Sequence, residues 1–169
     1  MNNLKYYLGF LWTLPVSIVA WIIVEFIRIN RGVESVIWDN RLVCVVTLKS
    51  NHWFYRVFFK RRHWAGWSCG NVAFVGDMLS YGYEPEMVDH KWNAVTIHET
   101  THCLQQYKWG ILWYPVYIVE SAHLWFKHKK KHSYLDNRFE REARRLAGQL
   151  VDIPPEFWPD GLNDRWIFW

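Results

Sequence analysis

The chain has 169 residues, enough for one modest domain with an accessory segment and too few for two buried cores, since domains usually run about 100 to 200 residues. With 51% apolar and 21% charged residues it lacks the polar, highly charged profile of a disordered chain, and its 13 Trp, 9 Tyr and 10 Phe favour places that are dry on one side and wet on the other, membrane interfaces included. The net charge of +4 gathers at Lys60-Arg61-Arg62 and over residues 127–131, runs that suit anionic lipid or plain solvation; no nucleic-acid motif surrounds them, so nucleic acid is not expected as a partner.

Residues 6–24 carry no charge and come close to the ~20 residues that cross a hydrocarbon core as a helix. A cleavable signal peptide competes with that reading, because Lys5 precedes the run and Ala20 could mimic a cleavage site. The apolar run nevertheless continues through Trp21, Ile22, Ile23 and Val24 without a small-x-small exit, which predicts an uncleaved single-pass anchor over residues 1–28, with Pro15 a tolerated kink. Lys5 on the amino side faces Arg28, Arg31 and Arg41 on the carboxyl side, and the positive-inside rule then assigns the bulk of the protein to the cytoplasm.

Residues 29–151 form the expected domain. Runs at residues 41–47, 52–59 and 71–75 read as strands, separated by turn signals at residues 49–51, 64–66 and 76–77. Helical spacing over residues 91–109 predicts a helix that Gly110 stops. The second apolar segment, residues 111–126, is short and contains Glu120 and His123, so it reads as a buried or interfacial helix rather than a second span. A third helix, amphipathic and basic, is expected from residue 138 to about residue 151. Residues 152–169 form a Pro- and Trp-rich tail expected to pack as an irregular strap. The pattern is that of an α+β fold.

His98 and His102 are four residues apart, so on a helix they share one face and can reach one metal ion. Two neutral imidazoles suit zinc, and Glu99 is placed to take a proton from a water the ion polarises. The uncharged neighbours Val95, Thr96, Thr100, Thr101, Cys103 and Leu104 fit a helix set into a core with only its metal-binding side facing a cleft. A third protein ligand is required, and Glu120, Glu140 and Glu142 are the candidates. Glu140 also fits the N3 position of a capping box begun by Asn137, and Glu120, if not a ligand, is either neutral or paired with His123. Residues 71–75 are the candidate edge strand for an extended substrate, and Tyr117 and Tyr134 are candidate donors to an oxyanion. Gln105 and Gln106 either orient the site or occupy the helix surface. Cys44, Cys69 and Cys103 form no C-x-x-C pair and read as free thiols of a reducing compartment.

Residues 98–110 (HETTHCLQQYKWG), 114–117 (YPVY) and 134–144 (YLDNRFEREAR) resemble a family of small, uncharacterised bacterial and phage proteins. Its pattern is a glycine-bearing strand, an H-E-x-x-H-x-x-Q helix, an aromatic-rich helix and an N-x-F-E-R-E-A helix. Residues 67–74 (WSCGNVAF) resemble the strand before the motif, so the likeness covers roughly residues 64–146. The chain is similar, more distantly, to gluzincin metallopeptidases, in which a glutamate within E-x-x-A on a later helix completes the site. The resemblance implies a minimal zincin-like α+β domain, Zn2+ held by His98, His102 and Glu140, Glu99 as catalytic base, and a peptide or protein substrate. Arg138 stands where such sequences often have proline, and Arg144 where gluzincins often have an aspartate supporting a ligand histidine. The expectation is a membrane-anchored zinc metallopeptidase. The alternatives are a membrane-anchored protein with a structural zinc site, or a lipid-interacting protein whose histidines are incidental.

Overall fold

The uncharged N-terminal run folds as one long helix, α1 (Leu4–Ile29), in the computed structural model, which describes residues 4–60, 65–77, 85–127 and 136–149. It is long and apolar enough to cross a membrane, a property that signal sequences and core helices share. Its buried positions are Gly9, Thr13, Ser17, Ala20, Val24 and Ile27, spaced three or four apart along one face. Small residues there let neighbouring backbone come close; a Cβ on Gly70 would stand 2.5 Å from Ser17 Oγ. The larger Leu8, Leu11, Trp12, Ile18, Ile22 and Phe26 are exposed, the reverse of the polar outer face of a water-facing amphipathic helix.

Strands β1 (Val33–Trp38), β2 (Cys44–Leu48), β3 (Gly66–Cys69) and β4 (Val72–Val75) make, among the described residues, a mixed four-stranded sheet in the order β1-β2-β4-β3. β1 and β2 are antiparallel, β2 and β4 parallel, and β3 and β4 antiparallel, the last pair joined through Gly70 at φ +59. The alternation of the strands divides the core in two. Cys44, Val46, Leu48, Val72 and Phe74 pack with Ala20, Val24 and Ile27 of α1, while Val43, Val45, Ala73 and Val75 pack with Val95, Cys103 and Tyr107 of the helix that follows.

Two expectations fail here. Residues 71–75 give β4, which is paired on both sides and wholly buried, so it cannot be an edge; the sheet's edges are β1 and β3, of which β3 borders the cavity lined by His98 and His102, and Gly66 opens β3 rather than lying in a turn. Residues 52–59 form a helix, α2 (Trp53–Phe58), instead of a strand. His52 takes the N-cap position with its Nδ1 accepting from the Phe54 N–H at 3.3 Å, and helical spacing turns Phe54, Tyr55 and Phe59 inward.

Helix α3 (Pro85–Trp109) begins earlier than expected and ends where Gly110 adopts φ +58, opening a short 3-10 turn (Gly110–Leu112). Helix α4 (Trp113–Lys127) buries only Trp113 among its described residues, which removes the buried-helix option for this segment. Helix α5 (Arg138–Leu146) ends sooner than residue 151. The tail at residues 152–169, Tyr134, and residues 61–62 and 128–131 of the basic runs lie outside the described residues.

Candidate metal centre

One turn of α3 separates His98 from His102, and each ring has its Nδ1 beside a side-chain amide oxygen. His102 Nδ1 is 2.8 Å from Gln105 Oε1, and His98 Nδ1 is 3.2 Å from Gln149 Oε1. An amide oxygen only accepts, so each Nδ1 carries a proton and each neutral ring directs an Nε2 lone pair toward the other ring. The two Nε2 atoms are 3.1 Å apart, and each lies 3.2 Å from a Glu140 oxygen. Four electron-rich atoms at that spacing, the two Nε2 and the two carboxylate oxygens, repel across the gap unless a cation sits among them. His98, His102 and Glu140 are buried, offer ligand atoms within 4.8 Å of one another, and can hold a metal ion.

The side chains' own electrostatics express the same demand for positive charge. Burial works against a charged His102, yet the Glu140 carboxylate, helped by Glu99 and Gln105, pushes the ring up to about 9. Burial also works against a charged Glu140, yet His102 and His98 hold its carboxyl well below the usual range.

Glu140 reaches the histidines because α5 is tied down at its start. Asn137 caps the helix by accepting the Phe139 N–H at 2.9 Å, and its Nδ2 donates to Ser121 Oγ at 2.7 Å and to the Tyr117 carbonyl at 3.3 Å, both on α4. Glu120, also on α4, accepts from the Arg138 N–H at 2.8 Å and pairs with Arg138 Nε at 2.8 Å. From α3, Gln105 Nε2 donates to the Phe139 carbonyl and to Glu142 Oε2, each at 2.9 Å. Glu140 does occupy the N3 position, but its carboxylate faces the histidines, and Tyr117 donates to its Oε1 at 2.8 Å.

The rival carboxylates are therefore committed elsewhere. Glu120 holds Arg138 rather than the expected His123, and Glu142 holds Gln105. Arg144 has its guanidinium 3.9 Å from Glu140 Oε2, while Gln105 and Gln149 stand beside the Nδ1 atoms of the histidines. Tyr117 gives its hydroxyl hydrogen to Glu140, not to a cavity oxyanion.

Glu99 projects toward β3. A Cβ on Gly66 would stand 2.6 Å from Glu99 Oε1, so only glycine leaves that carboxylate its place, and the Ser68 side chain hydrogen-bonds to it. Burial pushes the Glu99 carboxyl above the usual range against the pull of His98 and His102. Gln106 accepts from the Gly70 N–H and the Tyr114 hydroxyl, both at 2.7 Å, pinning the β3–β4 turn to α3 and α4. On the turn's other side, the Asn71 N–H donates to Ser17 Oγ of α1 at 3.1 Å. These elements enclose a cavity of about 430 Å³ whose wall includes Gly66, Ser68, Glu99, Trp113, Glu140 and Arg144.

Sequence reasoning missed Gly66 and Gln149. Gly66 stands in what reads as a turn signal, and nothing in the spacing of Gln149 links it to a histidine far upstream. No family model matches the chain, and no curated protein or solved structure matches it either.

Proposed function

We propose that the chain is a membrane-anchored, zinc-dependent hydrolase of the minimal zincin type that cleaves peptide bonds. The observation that carries this reading is the convergence of His98 Nε2, His102 Nε2 and the Glu140 carboxylate beside a cavity that also holds the Glu99 carboxylate. Two imidazoles and one carboxylate are a donor set that zinc takes in catalytic sites, where a fourth position stays open. Ligand bonds of about 2.0–2.1 Å in a tetrahedron put ligand atoms roughly 3.3–3.4 Å apart, close to the 3.1 Å between the two Nε2 atoms.

Bound there, zinc supplies Lewis-acid polarisation of a carbonyl and acidifies a water molecule. Glu99 takes a proton and returns it to the leaving amine, held in place by Gly66 and Ser68. The outer edge of β3, unpaired among the described residues, offers main-chain groups to an extended peptide. Arg144 adds positive charge to the cavity wall. The anchor reading of α1 is supported by Gly9, Thr13, Ser17 and Ala20, which are buried against the rest of the chain and would be missing after cleavage at Ala20. The flanking Lys and Arg residues favour a cytoplasmic bulk.

One observation favours a structural metal instead: His98, Glu99, His102 and Glu140 are all buried. Metal analysis of the purified full chain, paired with hydrolysis of a peptide library, separates the two. The enzyme reading expects about one zinc per chain, lost in His98→Ala and His102→Ala. Glu99→Gln is expected to keep the zinc and to lose roughly 10²- to 10⁴-fold in rate. Stoichiometric zinc without hydrolysis would leave the structural reading; zinc retained by the double alanine variant would remove both.

A further inference from the structure

Helix α4 has two unlike faces. Trp113, Tyr114, Tyr117 and Ser121 follow one another along the inner face, where the three hydroxyls bond Gln106, Glu140 and Asn137. Outward, the exposed described positions before Lys127 are Pro115, Ile118, Val119, Ala122, Trp125 and Phe126, with His123 the one polar residue among them, and Ile118 is 63%, Val119 66% and Phe126 75% exposed. A helix bordering water carries polar side chains on that face. The preceding 3-10 turn repeats the pattern, with Ile111 58% and Leu112 56% exposed.

This surface is continuous with the outer row of α1. The Trp12 indole lies so close to Gly110 that a Cβ there would fall 1.6 Å from its Nε1, which brings Leu8, Leu11 and Trp12 to the turn carrying Ile111 and Leu112. The apolar area therefore runs from one helix to the other, and it is too extended to be the scattered exposure of an ordinary soluble surface. Charge completes the pattern. Lys127 ends α4 and the sequence continues as His128-Lys129-Lys130-Lys131-His132, a composition suited to anionic headgroups.

We infer that the outer face of α4 is seated in the lipid bilayer beside α1, so that two elements, not one, hold the chain on the membrane. The cavity wall built by the inner face of α4 then lies about one helix diameter, roughly 10 Å, from lipid. The inference rests on the membrane reading of α1 and is independent of the chemistry at the metal centre.

The test is a nitroxide spin label on the full chain in phosphatidylcholine–phosphatidylglycerol vesicles, attached through Ile118→Cys or Phe126→Cys. Ile18→Cys on the outer face of α1 serves as the lipid reference and Asn93→Cys, exposed on α3, as the water reference. The native thiols Cys44, Cys69 and Cys103 are free but buried, so the label goes to the introduced one. Positions 118 and 126 are expected to match position 18, with frequent collisions with oxygen and loss of access to a water-soluble nickel chelate, while position 93 shows the opposite. A nickel-accessible label at 118 and 126 overturns the inference. So does a label shielded from both reagents, which would mean that protein covers the face, whether a second copy or residues 152–169. A water-type signal at position 18 would remove the anchor reading of α1 itself, distinguishing that failure from one confined to α4.

Discussion

Glu99 and Gly66 make a pair that neither residue discloses alone. Gly66→Ala should move the Glu99 carboxylate while leaving the histidines and Glu140 in place, because the three atoms nearest the new Cβ all belong to the Glu99 side chain. The expected outcome is full zinc occupancy with hydrolysis reduced toward that of Glu99→Gln, read by metal analysis beside a rate measurement. Gln149→Ala removes the acceptor from His98 Nδ1 and should weaken zinc binding by roughly 10- to 100-fold, as losses of such supporting partners do, in a competition titration against a chelator. Gln149 is the cleaner probe of that support, since Gln105 also holds α5. The cysteines give a residue-scale check on the fold. Burial pushes the Cys44 thiol up to about 12 and raises Cys69 and Cys103 as well, so none offers much thiolate near neutral pH. Maleimide should leave the mass of the folded chain unchanged and add three labels only after denaturation.

At the scale of elements, the centre depends on how α5 docks. Asn137→Ala removes the cap, worth about 0.5–2 kcal/mol, and with it the bonds to Ser121 and to the Tyr117 carbonyl that fix where the helix begins. Stability should fall by at least the cap's contribution, and zinc affinity should fall with it because Glu140 loses its bearing; denaturation with and without zinc reads both. Such local devices are what a sequence displays well. The four-residue spacing of His98 and His102 is a property of any helix, and the Asn137 cap needs only the residues beside it. Strand order is not local: the edge position of β3 depends on a parallel pairing between β2 and β4 with α2 lying between them in the chain, and no periodicity encodes that partner. Nor did composition distinguish α2 from a strand, because aromatic and β-branched residues suit either until the N-cap at His52 decides.

The whole molecule does not divide at residue 28 as a tether would from its cargo. Ala20, Val24 and Ile27 of α1 share one core cluster with Cys44, Val46, Leu48 and Phe74 of the sheet, and Gly9 fits against Tyr107 of α3. A chain beginning at residue 30 would lose the burial of Val24 and Ile27, each worth about 1.5–3 kcal/mol where the alternative is water. It would also leave the Asn71 N–H without Ser17, at the turn that Gln106 pins to the helix carrying His98 and His102. Against a net stability of about 5–15 kcal/mol for a small domain, these losses are large. Residues 30–169 should therefore collect as aggregate or as a loosely packed chain, with near-ultraviolet circular dichroism lost and zinc affinity reduced, rather than move intact into the soluble fraction. A truncated chain that stays monomeric in water, keeps its near-ultraviolet signal and binds zinc as tightly as the full chain would show that α1 is a detachable tether. In that event the small residues along its inner face would need another explanation.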